Sequence, residues 1–277
     1  MIARASVRLK LRHALALGVA QGPTELLPVS SSAHTTLIPL LLGWPYAELD
    51  GELRKSFEVA LHAGAGAALA IDMYRELSAD VRLLDARRVV TVALALGPAA
   101  LAGLVLGPAI ERRFGGPRSI SAGLAAGGVA MAIADARAGD GGRSHEDARP
   151  VDGLALGIAQ AIALIPGVSR YGATLTAGRA RGFAAADAQT LSWHAALPVM
   201  LGASALKGLR AMRKPAQAGA VAPLAAGTGA AFVSTLISAR LLRRHRRALR
   251  SLLPFALYRC LLAALVLARV RRPLRAQ

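Results

Sequence analysis

GVAQGPTELLPVSSSAH, residues 18–34, lies in one of the most apolar parts of the chain, yet it holds Gln21, Glu25, Ser30, Ser31, Ser32 and His34. Two prolines, Pro23 and Pro28, interrupt it. Proline has no amide hydrogen to donate and its ring crowds the preceding turn, so a helix should break here. The serines that follow are good N-cap residues. The pattern therefore predicts one half-helix ending at the prolines and another starting at the serines. A greasy segment with a carboxylate, hydroxyls and an imidazole at its break calls for an explanation in function.

Composition sets the environment of that break. Of 277 residues, 54% are hydrophobic and only 4% aromatic, and the mean hydropathy is +0.44. Soluble proteins of this size are less apolar. The formal charge of +18 brings nucleic acid to mind, but a basic groove interleaved with aromatics is missing. Instead the arginines gather in short runs such as LLRRHRRALR (241–250) and RVRRPLRAQ (269–277), where they would snorkel to anionic headgroups. A polytopic membrane protein is expected, and a soluble or nucleic-acid-binding protein is excluded. The basic, then apolar N-terminus imitates a signal peptide, but its apolar part is short and it is expected to be retained. Cys260, the one cysteine, is expected to pack as a small hydrophobe.

Spanning a bilayer takes roughly 20 apolar residues. Six segments reach that length, at about 56–76, 88–110, 118–136, 189–210, 218–240 and 252–270. Two more, 11–42 and 152–182, are long but broken near the middle. Broken backbone of this kind is tolerated where it lines a cavity enclosed by protein, so both are expected as re-entrant helical hairpins. GIAQAIALIPGVSRYGAT (157–174) answers GVAQGPTELLPVSSSAH: each opens Gly-aliphatic-Ala-Gln, meets a proline and then presents serine. Three spans follow each hairpin. The expected organisation is all-α: a first inverted repeat over 1–138, a polar connector over 139–151 and a second inverted repeat over 152–277. Matching broken segments in two halves point to a site between them at mid-membrane.

The chemistry of the breaks follows from helix termini. A new helix start aims free N–H groups and a positive dipole end into the site, which suits phosphate. Arg170, beside the second break, can clamp phosphate oxygens with its planar fork. An arginine placed in lipid is a functional candidate by default. Ser31 and His34, three residues apart, would share a helix face and suit nucleophile and proton carrier. Alternatively His34 is the nucleophile, or either activates water. Glu25 could hold a divalent cation against phosphate or act as a base. His62 and His194 read as packing groups.

TELLPVSSSAH and PGVSRYGATL resemble the two signatures of the undecaprenyl-diphosphate phosphatase family of the bacitracin-resistance type. The likeness runs on through FEVALHAGAGAALA (57–70), LPVMLGASAL (197–206) and LPFALYR (253–259), and so covers almost the whole chain. It implies a multi-pass enzyme of the bacterial plasma membrane that removes the terminal phosphate of a C55 polyprenyl diphosphate, recycling the carrier for peptidoglycan. By resemblance, Glu25, Ser31, His34 and Arg170 are catalytic; Glu25 is also the expected ligand of Mg²⁺ or Ca²⁺. Ser30, Ser32, Ser169, Tyr171, Gln21 and Thr174 would bind substrate. Gln21 stands where the family motif has its first glutamate and Tyr171 where it has a serine, so the charge near a metal is reduced. The expected partners are the lipid substrate and the bilayer; a homodimer is allowed. The other reading is a non-hydrolytic polyprenyl-phosphate translocase or lipid-binding paralogue.

Overall fold

The computed structural model describes residues 7–76, 78, 85–138, 142–212, 219–244 and 251–271, and every regular element among them is helical. In chain order these are α1 (Leu11–Leu26), α2 (Ser31–Leu42), α3 (Gly51–Asp72), α4 (Ala86–Val105), the short α5 (Gly107–Phe114) and α6 (Pro117–Ala138). After one turn of 3₁₀ helix come α7 (Pro150–Ile162), α8 (Arg170–Ala180), α9 (Ala185–Met212), α10 (Val221–Arg244) and α11 (Leu253–Arg271). The arginine runs at 245–250 and 272–277, the extreme N-terminus and residues 139–141 of the connector lie outside the described residues.

Among the described residues four helices, α4, α6, α10 and α11, are long and apolar enough to cross a membrane. Their outward faces carry Leu101 and Leu104, Val129 and Ile133, Val233 and Ile237, and Leu257, Leu261 and Leu265, all exposed. A belt of this size on a multi-helix protein is a lipid contact. Six apolar spans were expected, and α3 and α9 depart from that. At 22 and 28 residues both are long enough. However, α3 carries Glu52, Arg54, Lys55, Glu58 and His62, and α9 begins with Asp187, Gln189, Ser192 and His194. These polar residues lower the mean hydropathy, and of them only His62 lines the interior cavity.

Packing joins the two halves of the chain. α1 lies along α10 and α7 along α4, while α6 pairs with α11 and α3 with α9 and α10. Small residues set the first two contacts. A Cβ on Gly18 would come within 2.5 Å of the Gly227 carbonyl oxygen, and one on Gly153 or Gly157 within 2.1 or 2.2 Å of the Thr91 or Leu94 carbonyl. Only glycine permits backbones so close, the usual means by which helices associate in lipid.

Pro23 corrects a sequence expectation. Unlike Pro28, it does not break its helix: α1 runs through it to Leu26. Having lost the amide at position 23, the Val19 carbonyl accepts instead from Ser234 Oγ of α10, at 2.6 Å. Gly22 provides the room, since a Cβ there would meet Ser234 at 2.5 Å. The neighbouring helix thus supplies the hydrogen bond that proline removes.

The polar connector is anchored rather than loose over its described part. Arg143 pairs through the backbone with Gly182 and Ala184, rests over the Phe183 ring at 4.4 Å and reaches Asp152 Oδ2 at 2.9 Å. Asp152 also takes Arg181 Nε at 2.7 Å and the Arg149 amide at 2.9 Å. A buried carboxylate with three donors ties the start of α7 to the end of α8. Cys260 lies half-buried beside Gly128 of α6, a packing position.

Candidate active site

Two breaks face each other. The first separates α1 from α2 and the second α7 from α8, and both end on a serine in the same unusual conformation. Ser30 has φ 76° and ψ 95°, Ser169 φ 67° and ψ 115°, and among the described residues these are the only non-glycine residues at positive φ. Such conformations cost of order 1–3 kcal/mol each and persist where the surroundings enforce them, typically at functional sites. Each serine caps the helix it opens: Ser30 Oγ accepts from the Ala33 amide at 3.4 Å, and Ser169 Oγ from the Gly172 amide at 3.1 Å. The remaining first-turn amides of α2 and α8 have no helical partner.

Between the breaks lies a cavity of about 280 Å³. Its polar lining includes Glu25, Ser31, His62, Ser169, Arg170 and Tyr171, with Thr24, Ser30, Ser32 and Ser204; residues such as Val59, Leu164, Pro166 and Met200 form the apolar part. Arg170, first residue of α8, reaches across to the other half and places Nη2 2.5 Å from Glu25 Oε1. Its Nη1 donates to the Ala196 carbonyl at 3.3 Å, and its buried Nε has no partner. A buried donor left unpaired in a cavity calls for an acceptor that enters with a ligand.

Glu25 is held from its other side too. Its Oε2 accepts from Gln21 Nε2 at 2.9 Å and lies 3.2 Å from His62 Nδ1. Gln21 Nε2 and His62 Nδ1 are themselves 3.2 Å apart, and the Ser31 hydroxyl lies beside the carboxylate. Helical spacing explains part of this: Gln21 and Glu25 are four apart on one face of α1. His62 arrives from α3. Its apolar context predicts a packing residue, and the fold instead makes it a neighbour of the acid. The signal available was its place in FEVALHAGAGAALA, a histidine in an apolar run close to two small residues.

His34 is turned elsewhere. Its Nδ1 lies 2.7 Å from the Ser30 carbonyl and its Nε2 2.7 Å from Tyr258 Oη, with the two rings stacked at 5.8 Å. It does not line the cavity, so the fold does not aim it with Ser31 at one point, although the two share α2. The Ser30 carbonyl lies immediately before Ser31, which makes His34 a support for the break. Tyr258 falls in LPFALYR, a stretch within the sequence resemblance, but its pairing with His34 depends on the fold.

The other expected residues divide. Ser30 and Ser32 hydroxyls lie 3.3 Å apart, with Ser32 the more exposed. Tyr171 lines the cavity with its ring against Trp193, centroids 4.6 Å apart. Thr174 is fully buried one turn further along α8, its hydroxyl on the Arg170 and Tyr171 carbonyls, away from the cavity lining. Gln160, the sequence echo of Gln21, bonds the backbone carbonyls of Ala95 and Ala195 at 2.8 and 3.4 Å. The same letter holds helices together in one half and touches the acid in the other.

A divalent cation finds limited protein ligation here. Both Glu25 oxygens already have cationic or amide neighbours, and among the described residues no three His, Cys, Asp or Glu gather to hold a metal. One carboxylate facing a phosphate-sized cavity matches how Mg²⁺ is commonly held, by one or two carboxylates with substrate phosphates and water.

The family described as "Bacitracin resistance protein BacA" matches residues 14–265. A protein named undecaprenyl-diphosphatase from Pelobacter propionicus is 38% identical over 273 residues, covering 94% of this chain and 97% of that one. One of the same name from Geobacter sulfurreducens is 38% identical over 270 residues, covering 93% and 97%. A third, from Trichlorobacter lovleyi, is 35% identical over 261 residues, covering 90% and 93%.

Proposed function

The chain belongs to the bacitracin resistance protein family, and from that premise we propose that it is a multi-pass bacterial membrane enzyme, an undecaprenyl-diphosphatase. It hydrolyses the terminal phosphate of a C55 polyprenyl diphosphate and returns the lipid carrier to peptidoglycan synthesis. The observation that carries this reading is Arg170, which stands in one cavity with two serine-capped helix starts and an acid-bearing helix from the other half.

In this reading the diphosphate occupies the cavity while its polyprenyl tail remains in lipid. First-turn amides of α2 and α8 donate to phosphate oxygens, as helix N-termini do. Arg170 offers its free Nε–H and its charge to the phosphoryl group as negative charge spreads over the oxygens. Ser31 Oγ attacks the terminal phosphorus and its proton passes to Glu25. The bond to the bridging oxygen breaks, and polyprenyl monophosphate leaves. Water then releases phosphate from the serine. Gln21 and His62 keep the Glu25 carboxylate aimed at Ser31. His34 acts from behind, holding the Ser30 carbonyl and so the position of Ser31. Ser32, Ser169 and Tyr171 face the phosphates, whereas Thr174 supports α8. Glu25 is the residue that would ligate Mg²⁺ or Ca²⁺, and a cation there would neutralise charge on the diphosphate. Residues 1–138 and 152–277 act as inverted repeats, each contributing one re-entrant hairpin to the site.

The test is phosphate release from undecaprenyl diphosphate by the purified protein in micelles, with and without chelator. Release above the uncatalysed rate is expected. Tight binding of the lipid without release under either condition would make the protein a carrier instead.

A further inference from the structure

α11 brings a second arginine into the interior. Arg259 is completely buried, the largest side chain to be so among the described residues. Among the described residues it has no carboxylate partner and it does not line the cavity. Burying an unpaired cation is expensive unless every donor is used. Here the acceptors are all backbone carbonyls. Nε donates to Leu124 at 3.2 Å and Nη1 to Pro28 at 3.2 Å. Nη2 reaches Gly123 at 3.4 Å, Gly167 at 3.0 Å and Val168 at 2.6 Å.

The choice of carbonyls is informative. Pro28 lies two residues before Ser30, and Gly167 two residues before Ser169, so one guanidinium grips the equivalent peptide in both breaks. These carbonyls lie where a helix has stopped and have no partner of their own. Leu124 and Gly123 of α6 provide a fixed wall. Two glycines make space for the head group: a Cβ on Gly127 would lie 2.3 Å from Nη2, and one on Gly172 2.5 Å from Nη1. The preceding residue, Tyr258, holds His34. A single turn of α11 therefore touches both breaks and the imidazole behind Ser31.

We propose that Arg259 is a positioning residue that fixes the two half-helix starts relative to one another, so that the Ser31 arm and the Arg170 arm meet the same phosphate. Its planar, five-donor fork is what the task requires; lysine, with a compact point charge, can serve one break but not both. Loosening the link leaves the diphosphate bound by the Arg170 arm and the lipid tail, while the attacking hydroxyl drifts out of line. Misplacement by about 1 Å costs up to about a hundredfold in rate, so the loss falls on kcat.

The kinetic arm rests on the phosphatase reading, and a distance measurement does not. In Arg259→Lys, kcat should drop at least about tenfold with KM within about threefold of wild type. Gly127→Ala, which keeps Arg259 but pushes its head group, should lower kcat as well, and the two effects should be less than additive in the double variant because they act through one contact. Wild-type kcat in Arg259→Lys, or full additivity, overturns the proposal. Spin labels at Leu42 and Ala180, with Cys260→Ala, report the separation of α2 and α8 by pulsed electron resonance. Broadening in Arg259→Lys supports the clamp, and an unchanged distribution overturns it. Should Arg259→Lys not fold, Gly127→Ala carries both readouts, under the same criteria. If the wild type releases no phosphate, the phosphatase reading falls and the distances alone decide the clamp.

Discussion

Replacing Arg170 by alanine should separate two roles of one side chain. Glu25 is nearly inaccessible, its side chain only 4% exposed, and Arg170 Nη2 stands 2.5 Å from its Oε1. Removing one member of a buried pair strands the other and costs about 3–5 kcal/mol. Arg170 keeps a fifth of its side-chain surface open to the cavity, so water can follow the truncation and hydrate the carboxylate. That places the loss near the lower end, about 3 kcal/mol. Turnover should suffer more, since an arginine at a phosphoryl transition state contributes about 10³–10⁵ in rate. Adding Glu25→Gln removes the stranded charge. The double variant should recover most of the stability but none of the turnover. Chemical unfolding in mixed micelles reads the first quantity and phosphate release the second. Turnover in Arg170→Ala within tenfold of wild type would refute the site assignment. A double variant no more stable than the single one would refute the ion-pair account.

Three further outcomes follow from the same contacts. Ser234→Ala strips the Val19 carbonyl of its donor and should destabilise by about 1–3 kcal/mol; Pro23→Ala in that background restores an amide and should recover the loss, and an unfolding curve without recovery counts against the account of α1. His62→Ala removes a neighbour of Glu25 and should lower kcat by about a hundredfold, measured as phosphate release, whereas an unchanged kcat returns His62 to packing. Gln21→Glu sets a second carboxylate against Glu25, so without divalent cation the variant should unfold more readily, and Mg²⁺ should reverse this; an unfolding midpoint indifferent to Mg²⁺ speaks against Glu25 as a ligand.

Much of the architecture was legible because it follows from local chemistry. Pro28 and Ser30 mark a helix end and a helix start whatever surrounds them, and the same holds for Pro166 and Ser169. Four of the spans declare themselves by length and apolarity. What was not legible depends on partners distant in the chain. Pro23 reads as a break until Ser234, more than two hundred residues later, supplies the missing bond. His62 reads as packing until α3 is laid beside α1. Ser31 and His34 share a helix face, but Tyr258 draws the imidazole aside. Gln21 and Gln160 are indistinguishable in sequence and differ only in what the other helices bring to them.

The exchange of α1 onto α10 and of α7 onto α4 has a consequence for how the protein is made. The seam containing Gly18 and Gly22 closes only when α10 exists, roughly 200 residues after α1 ends. Synthesis at about 5–20 residues per second makes that a wait of roughly 10–40 s. During it α1 sits in the bilayer or its insertion machinery with a glycine-lined flank uncovered and the Val19 carbonyl without its Ser234 partner. Biogenesis must therefore pass through an open-sided half-protein, and the last helices to emerge complete the first.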